Sequence, residues 1–227
     1  MPDPGAAGPR GGGSITVGEV HRPDGREAVH VLALSFADEP ALSSILGGSR
    51  RRRYRVLVPF MWAGLRSYPG STEIHGAWLD GRLVGVGLRM PPGAWPLRRS
   101  QELRGVVWGL LGSLPMLVAF PRAVRMFPRM AEQQRRHPRD RPHWYLWCVG
   151  VHPSFRRRGV GTALARFVID KADAGGVGCY LETYGDGTEA LYRRLGFEVR
   201  DRWDIGPGTP PARTMWREPS SAKADLS

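Results

Sequence analysis

Lysine is nearly missing from this 227-residue chain: only Lys171 and Lys223 accompany its arginines. The shortage excludes a Walker A loop, which needs Gly-Lys-Ser/Thr. The net charge of +12 rests on arginine, in a chain with 30 Gly and 20 Pro, and reads as compositional bias as much as a binding surface. The arginines are scattered rather than set on one periodic face, so no nucleic-acid partner is expected. Cysteine is scarce too. Cys148 and Cys179 sit inside apolar runs with no CxxC and no Cys/His ligand spacing, which leaves out a disulfide framework and a metal site and makes both reduced core residues. Long apolar runs are also absent. The best candidate, GVVWGLLGSLPMLVAF at 105–120, falls short of the ~20 residues of a span and contains Gly109, Gly112 and Pro115, so no membrane span is expected. The start, MPDPGAAGPRGGGS, has no charged-then-apolar signal pattern, which points to a cytoplasmic protein. Residues 1–13 and 218–227 read as disordered tails, and 14–217 as a single domain.

What is present is an alternation of strands and helices. ITVGEV (15–20) reads as a strand, and 26–36 places Ala28, Leu32 and Phe36 on one helical face before Pro40. A helical region follows over about 41–66, with the arginines at 50–53 read as a solvated face. Residues 73–90 give two extended runs around Asp80-Gly81, the dipeptide of a type I′ hairpin. From 91 to 142 prolines recur, and short Pro-broken helices are expected, an insertion within the domain. HWYLWCVGV (143–151) is continuously apolar, as a strand buried on both faces requires. Val160, Leu164, Phe167, Val168 and Ala172 then recur at helical spacing up to Gly175-Gly176, and 177–183 is a further strand. Asp186 and Glu189 have capping-box spacing ahead of a short helix closed by Gly196, and FEVRDRWDI and ARTMWRE supply two last strands.

Between the apolar strand and its helix lies HPSFRRRGVGTAL (152–164). A glycine loop that opens a helix makes an anion site, because the first helical N–H groups have no intrahelical partner. The dinucleotide fingerprint fails for want of a third glycine, since the position is Leu164, and no G-x-S-x-G elbow occurs. What stands is Arg156-x-x-Gly159-x-Gly161.

The order VGVHPSFRRRGVGTAL, then CYLET, then ALYRRLGF resembles the core signature of the GNAT superfamily of acyl-CoA-dependent N-acetyltransferases, closely over about 144–199. HWYLWCVGV, the LET strand and GPGTPPARTMW resemble its puromycin N-acetyltransferase-like branch more loosely. The resemblance implies an α/β fold of GNAT type: a central, mostly antiparallel twisted sheet with a parallel, splayed pair of strands 4 and 5 and helices on both faces. It implies acetyl-CoA as cofactor, with Arg156, Arg157, Arg158, Gly159, Val160, Gly161 and Thr162 around the pyrophosphate. A bulge at CVGV would free the backbone of Val149 and Val151 for the pantetheine arm, with Gly150 suited to the bend. Thr188 stands where relatives often carry an asparagine that bonds the cofactor arm.

Tyr192 occupies the tyrosine position implied to protonate the leaving thiolate, and Glu182 is the candidate base, with His143, Tyr145 and His152 as other candidates. Trp95, Trp108, Met116, Phe120 and Met126, in the insertion, are expected to line an acceptor pocket. The implied activity is acetyl transfer to the amine of a small molecule, such as an antibiotic or other natural product, by a monomer or homodimer. The alternatives are a protein lysine or N-terminal acetyltransferase, and a non-catalytic acyl-CoA-binding or nucleic-acid-binding module.

Overall fold

The structure is a computed structural model and describes residues 13–20, 25–67, 72–94, 99–121, 124, 132, 136–204 and 210–220. Seven strands share one sheet in the order β1-β2-β3-β4-β5-β7-β6. β1 (Ile15–Glu19), β2 (Glu73–Leu79), β3 (Arg82–Met90) and β4 (His143–Val151) are antiparallel each to the next. β5 (Gly178–Tyr184) is parallel to β4, and β7 (Ala212–Arg217) and β6 (Glu198–Trp203) complete the sheet antiparallel. The mixed sheet expected from the sequence is present. Asp80 and Gly81 both take positive φ, 51° and 73°, as the type I′ hairpin requires.

Among the described residues six α-helices cover both faces: α1 (Gly25–Ala37), α2 (Pro40–Leu46), α3 (Arg50–Ser67), α4 (Arg99–Ala119), α5 (Val160–Ala174) and α6 (Asp186–Arg194). Strand alternation in β3 sorts them. Gly85 comes so close to Val160 and Leu164 of α5 that a Cβ there would lie within 3 Å of both. Its neighbours Val86 and Leu88 point the other way, into a core with Leu32 of α1 and Leu57 of α3. Each face therefore has its own core, and burial on both sides is what the uninterrupted apolar run of β4 demands.

Several expectations change. The helical region at 41–66 is two helices, because Gly47 and Gly48 take φ of 66° and 65°. The arginines at 50–53 do more than face solvent. Arg53 donates to the carbonyls of Ala37, Gly47 and Gly48, tying down two helix ends, and Arg50 pairs with Asp38. In the insertion, α4 is one helix of 21 residues that runs through Pro115. Pro115 is exposed, so the carbonyl it leaves unpaired can be hydrated, and Gly112 seats the helix on Ala63 and the Pro59 carbonyl of α3. The capping box does not form: Gly185 is the N-cap, Asp186 opens α6, and Glu189 is held by Arg193, Arg202 and Arg213.

Residues 1–12 and 221–227 of the expected tails lie outside the described residues. Glu218 and Ser220 do not behave as a tail, since Glu218 pairs with Arg141 and the Ser220 N–H donates to Asp173.

Three buried histidines set a pH dependence. Burial pushes His75 down to about 3, helped by Arg89, and burial pushes His137 to about 3 and lowers His143. Below the ordinary histidine pKa near 6.5 the unfolded chain binds protons that the fold refuses. Stability from this source is full above that pH and is lost as pH falls from about 6.5 towards about 3. Glu189, held down to about 2 chiefly by Arg202 and Arg193, acts only at lower pH, between the usual carboxylate range and its own value. The melting temperature should therefore fall between pH 7 and pH 5, before carboxylates titrate. His75→Gln should flatten that slope in a thermal scan series; an unchanged slope would mean that His75 is protonated in the fold.

Candidate active site

β4 and β5 pair over only three positions, His143 with Gly178, Trp144 with Cys179 and Tyr145 with Tyr180. Beyond Tyr145 they part, β4 staying with β3 and β5 with β7, and a wedge opens in the middle of the sheet. The His152 N–H donates to the Val84 carbonyl at 2.9 Å. Counting back by alternation, the backbone groups of Val151 and Val149 point away from β3 and into the wedge. The Val151 N–H is met there by Ser35 Oγ of α1 at 3.1 Å.

The bulge of β4 falls at Trp147, which is the extra residue between Leu146, opposite Arg89, and Cys148, opposite Leu88. It does not fall at Gly150, which keeps register with Val86. Gly150 serves packing instead: a Cβ there would meet Leu32 Cδ2 at 2.9 Å and Ser35 Cβ at 3.2 Å, so its absence lets α1 lie on the strand.

The wedge leads into the glycine loop. A 3₁₀ turn, Pro153–Phe155, is capped by His152, whose Nδ1 accepts from the Ser154 N–H. Arg157 and Gly159 then take left-handed φ of 62° and 83°, and α5 begins at Val160 with no side chain capping it. Alternation of left- and right-handed residues turns successive N–H groups to one side, and an uncapped helix start adds its positive end. Gly161 faces the gap between strand end and α6: a Cβ there would stand 3.7 Å from Val151 and 3.8 Å from Leu191. Val160 buries its side chain in the core, so only its backbone is available to a ligand, while Thr162 is half-buried. Arg157 and Arg158 are exposed, Arg158 lying over Phe155, and Arg156 turns back to donate to the Ser35 carbonyl at 2.9 Å.

Tyr192 of α6 packs under the wedge with Leu146 of β4 and Cys179 and Leu181 of β5, 9% exposed. Burial, and after it Cys148 and Cys179, pushes its phenol above the ordinary range, so it keeps its proton through neutral and mildly alkaline pH. Burial also pushes both thiols up to about 12, which leaves neither as a thiolate near pH 7.

Comparison with known proteins agrees with this geometry. The family model described as the acetyltransferase (GNAT) family matches residues 42–197, more than half of the chain. The chain belongs to the GNAT acetyltransferase family. It is an acyltransferase. Similar solved structures include a protein described as histone acetyltransferase HPA2 and related acetyltransferase from Corynebacterium glutamicum (25% identity, 93% of this chain and 99% of that one, TM-score 0.65). Arylalkylamine N-acetyltransferase 2 from Aedes aegypti is 15% identical over 91% of this chain and 99% of its own, TM-score 0.59. A polyamine N-acetyltransferase from Drosophila melanogaster is 18% identical over 90% and 100%, TM-score 0.52, and these last two show likeness of fold.

The remaining candidate residues of this GNAT acetyltransferase lie on β5, at the start of α6 and along the insertion. Thr188 directs its hydroxyl to the Tyr184 and Gly185 carbonyls at 2.6 and 3.0 Å, which commits its single proton within the protein. Glu182 projects from the face of β5 opposite Tyr192. Its neighbour on that face is Tyr180, whose phenol is raised by burial and next by the Glu182 charge, and both Glu182 oxygens are shut off from solvent. Tyr145 and Tyr180 pack with Met90 and Trp216 on that same face. His143 Nε2 lies 3.1 Å from His137 Nε2, and beside them a cavity of about 180 Å3 is lined by Met90, Tyr145 and residues 138–143. The ends of the insertion thus frame a cavity next to the closed end of the wedge. Its middle does not: Met116 and Phe120 are buried against Leu46 and Val56 of α2 and α3, and Trp108 is half-buried on α4. Trp95 and Met126 lie outside the described residues.

Ser35 is the contact that sequence reasoning missed. It sits in an ordinary helical pattern, and the groups it meets are 116 and 121 residues away.

Proposed function

We propose that this protein transfers the acetyl group of acetyl-CoA directly to the amine of a small molecule. The observation that carries the reading is the continuous track from the wedge at Val149 and Val151 to the uncapped start of α5. Its shape and donors suit a long arm ending in a pyrophosphate. Backbone N–H groups of 157–162 would hold the phosphates, the exposed Arg157 and Arg158 would draw in the anion, and Gly161 leaves the room that a side chain would fill. When bound, the thioester supplies an activated acetyl group and a thiol leaving group. Tyr192 holds the proton that the departing sulfur needs. The Val149 and Val151 backbone groups turned into the wedge would hold the thioester carbonyl, and an N–H there would supply a donor to developing negative charge. Val151 would first give up Ser35. Neutral cysteines argue against an acyl-enzyme on Cys148 or Cys179 and for direct attack by the amine. Glu182, its carboxylate shut off from solvent on the face of β5 opposite Tyr192, is the proposed proton acceptor from the amine.

Acetyl-CoA turnover against a panel of small amines, with free thiol as readout, tests this. Amine-dependent thiol release with an acetylated small product is expected. Release only with peptide N-termini or lysine side chains would overturn the small-molecule reading. Thr188→Asn, which restores a side chain with two donors and an acceptor, should tighten coenzyme A binding a few-fold in the same assay; weaker binding would place Thr188 away from the arm.

A further inference from the structure

Every large apolar side chain exposed among the described residues lies at positions 103–124, nearly all of them on α4. Leu103, Val106, Leu110, Leu114 and Val118, each between 56% and 75% exposed, recur at helical spacing and form one stripe along its outer side. The inner side of α4 is spent on α3, through Gly112 and Ala63 and through Met116 and Phe120 against Val56. No charged residue occurs from 105 to 120. A contiguous apolar strip of this kind on a folded domain marks an interaction surface.

Charge decides the partner. The segments of α3 and α4 contain eight arginines and a single acid, Glu102. The helices are antiparallel, as the bond from Arg52 at the start of α3 to the Ala119 carbonyl at the end of α4 shows. Exposed arginines therefore stand on the neighbouring helix: Arg52 reaches the Ala119 carbonyl at the Val118 end of α4, Arg51 and Arg55 lie within a turn of it on α3, and Arg66, stacked on Trp62, lies at the other end of α3. A second copy docked stripe to stripe would bring arginine clusters against arginine clusters. A sheet of anionic headgroups would neutralise them while its acyl region takes the leucines and valines. We propose that the outer face of α4 docks this protein on a bilayer of anionic phospholipid. The helix lies in the plane of the interface, its apolar stripe buried and its arginines among the phosphates.

Sedimentation of the full chain with vesicles tests it. Vesicles containing phosphatidylglycerol should carry the protein down, pure phosphatidylcholine vesicles at least tenfold less, and added salt should weaken the binding. Leu110→Glu with Leu114→Glu should cut the partition at least tenfold without lowering the melting temperature or acetyl transfer in solution, since both side chains are already in water. The milder Leu114→Ser should lie between. The proposal is overturned if the parent ignores anionic vesicles, if it binds neutral ones equally, or if the double variant still binds. It is also overturned in favour of a second copy if sedimentation equilibrium shows a dimer that the double variant dissolves and vesicle binding is lacking. None of these outcomes bears on the wedge, so the acetyltransferase reading stands or falls separately.

Discussion

Tyr192→Phe is expected to lower kcat on the order of 10²-fold, the range in which a positioned acid contributes, while coenzyme A binding and melting temperature stay near parental values. The ring keeps its packing against Leu146, Leu181 and Phe197, so the change removes a hydroxyl and little else. An ordinary phenol titrates near pH 10, but burial raises this one further. A loss of activity at moderately alkaline pH is therefore not expected from Tyr192. The sharper check is the leaving group. An acetyl donor whose thiol is more acidic needs less help to depart, so the parent-to-variant ratio of kcat should shrink with such a donor. Near-parental turnover of the Phe variant with acetyl-CoA would make Tyr192 a packing residue between the strands.

The second large effect is at Gly161. Its missing Cβ faces the gap between Val151 and Leu191 at ordinary contact distances, so the fold can accept a side chain there. Valine at a helix start is tolerable to the backbone, and its methyl groups would occupy the place proposed for the phosphates. Gly161→Val should therefore weaken coenzyme A by on the order of 10²-fold, about 2.7 kcal/mol, with little change in melting temperature. Gly161→Ala should fall between. Calorimetric titration decides: unchanged affinity in the valine variant would make the loop no more than a strand-to-helix turn. Gly159 is a different case. Its φ of 83° is one that side chains rarely adopt, so substitution there would strain the loop itself and confound binding with folding.

The parts of this architecture that were legible in the sequence are local. HWYLWCVGV reads as a doubly buried strand because its positions from Trp144 onward carry no charge and hardly a polar group, and Asp80-Gly81 reads as a hairpin because the turn type needs two positive φ values. The glycine loop reads as a strand-to-helix turn because its glycines supply the backbone bend themselves, Gly159 taking a φ of 83° just before α5. What was not legible depends on contacts distant in sequence. The bulge lies at Trp147, where β3 and β4 change register, and not at Gly150, whose small size serves the packing of α1. Ser35 carries no pattern, yet it holds both the Val151 amide and Arg156. Pro115 suggested a break, but on the exposed side of α4 a proline costs one hydrogen bond and not the helix. Of the large insertion side chains that read as pocket lining, Met116 and Phe120 instead seat α4 on α2 and α3.

The central claim is that the parted strands and the glycine loop together hold coenzyme A through backbone N–H groups. Amide hydrogen exchange, measured residue by residue on the full chain with and without coenzyme A, addresses it directly. Protection is expected at Val149 and Val151 and across 157–162, with Ser35 released from Val151 and the amides of α4 unchanged. Saturating coenzyme A that left those amides exchanging at their free rates, or that protected the insertion instead, would contradict it.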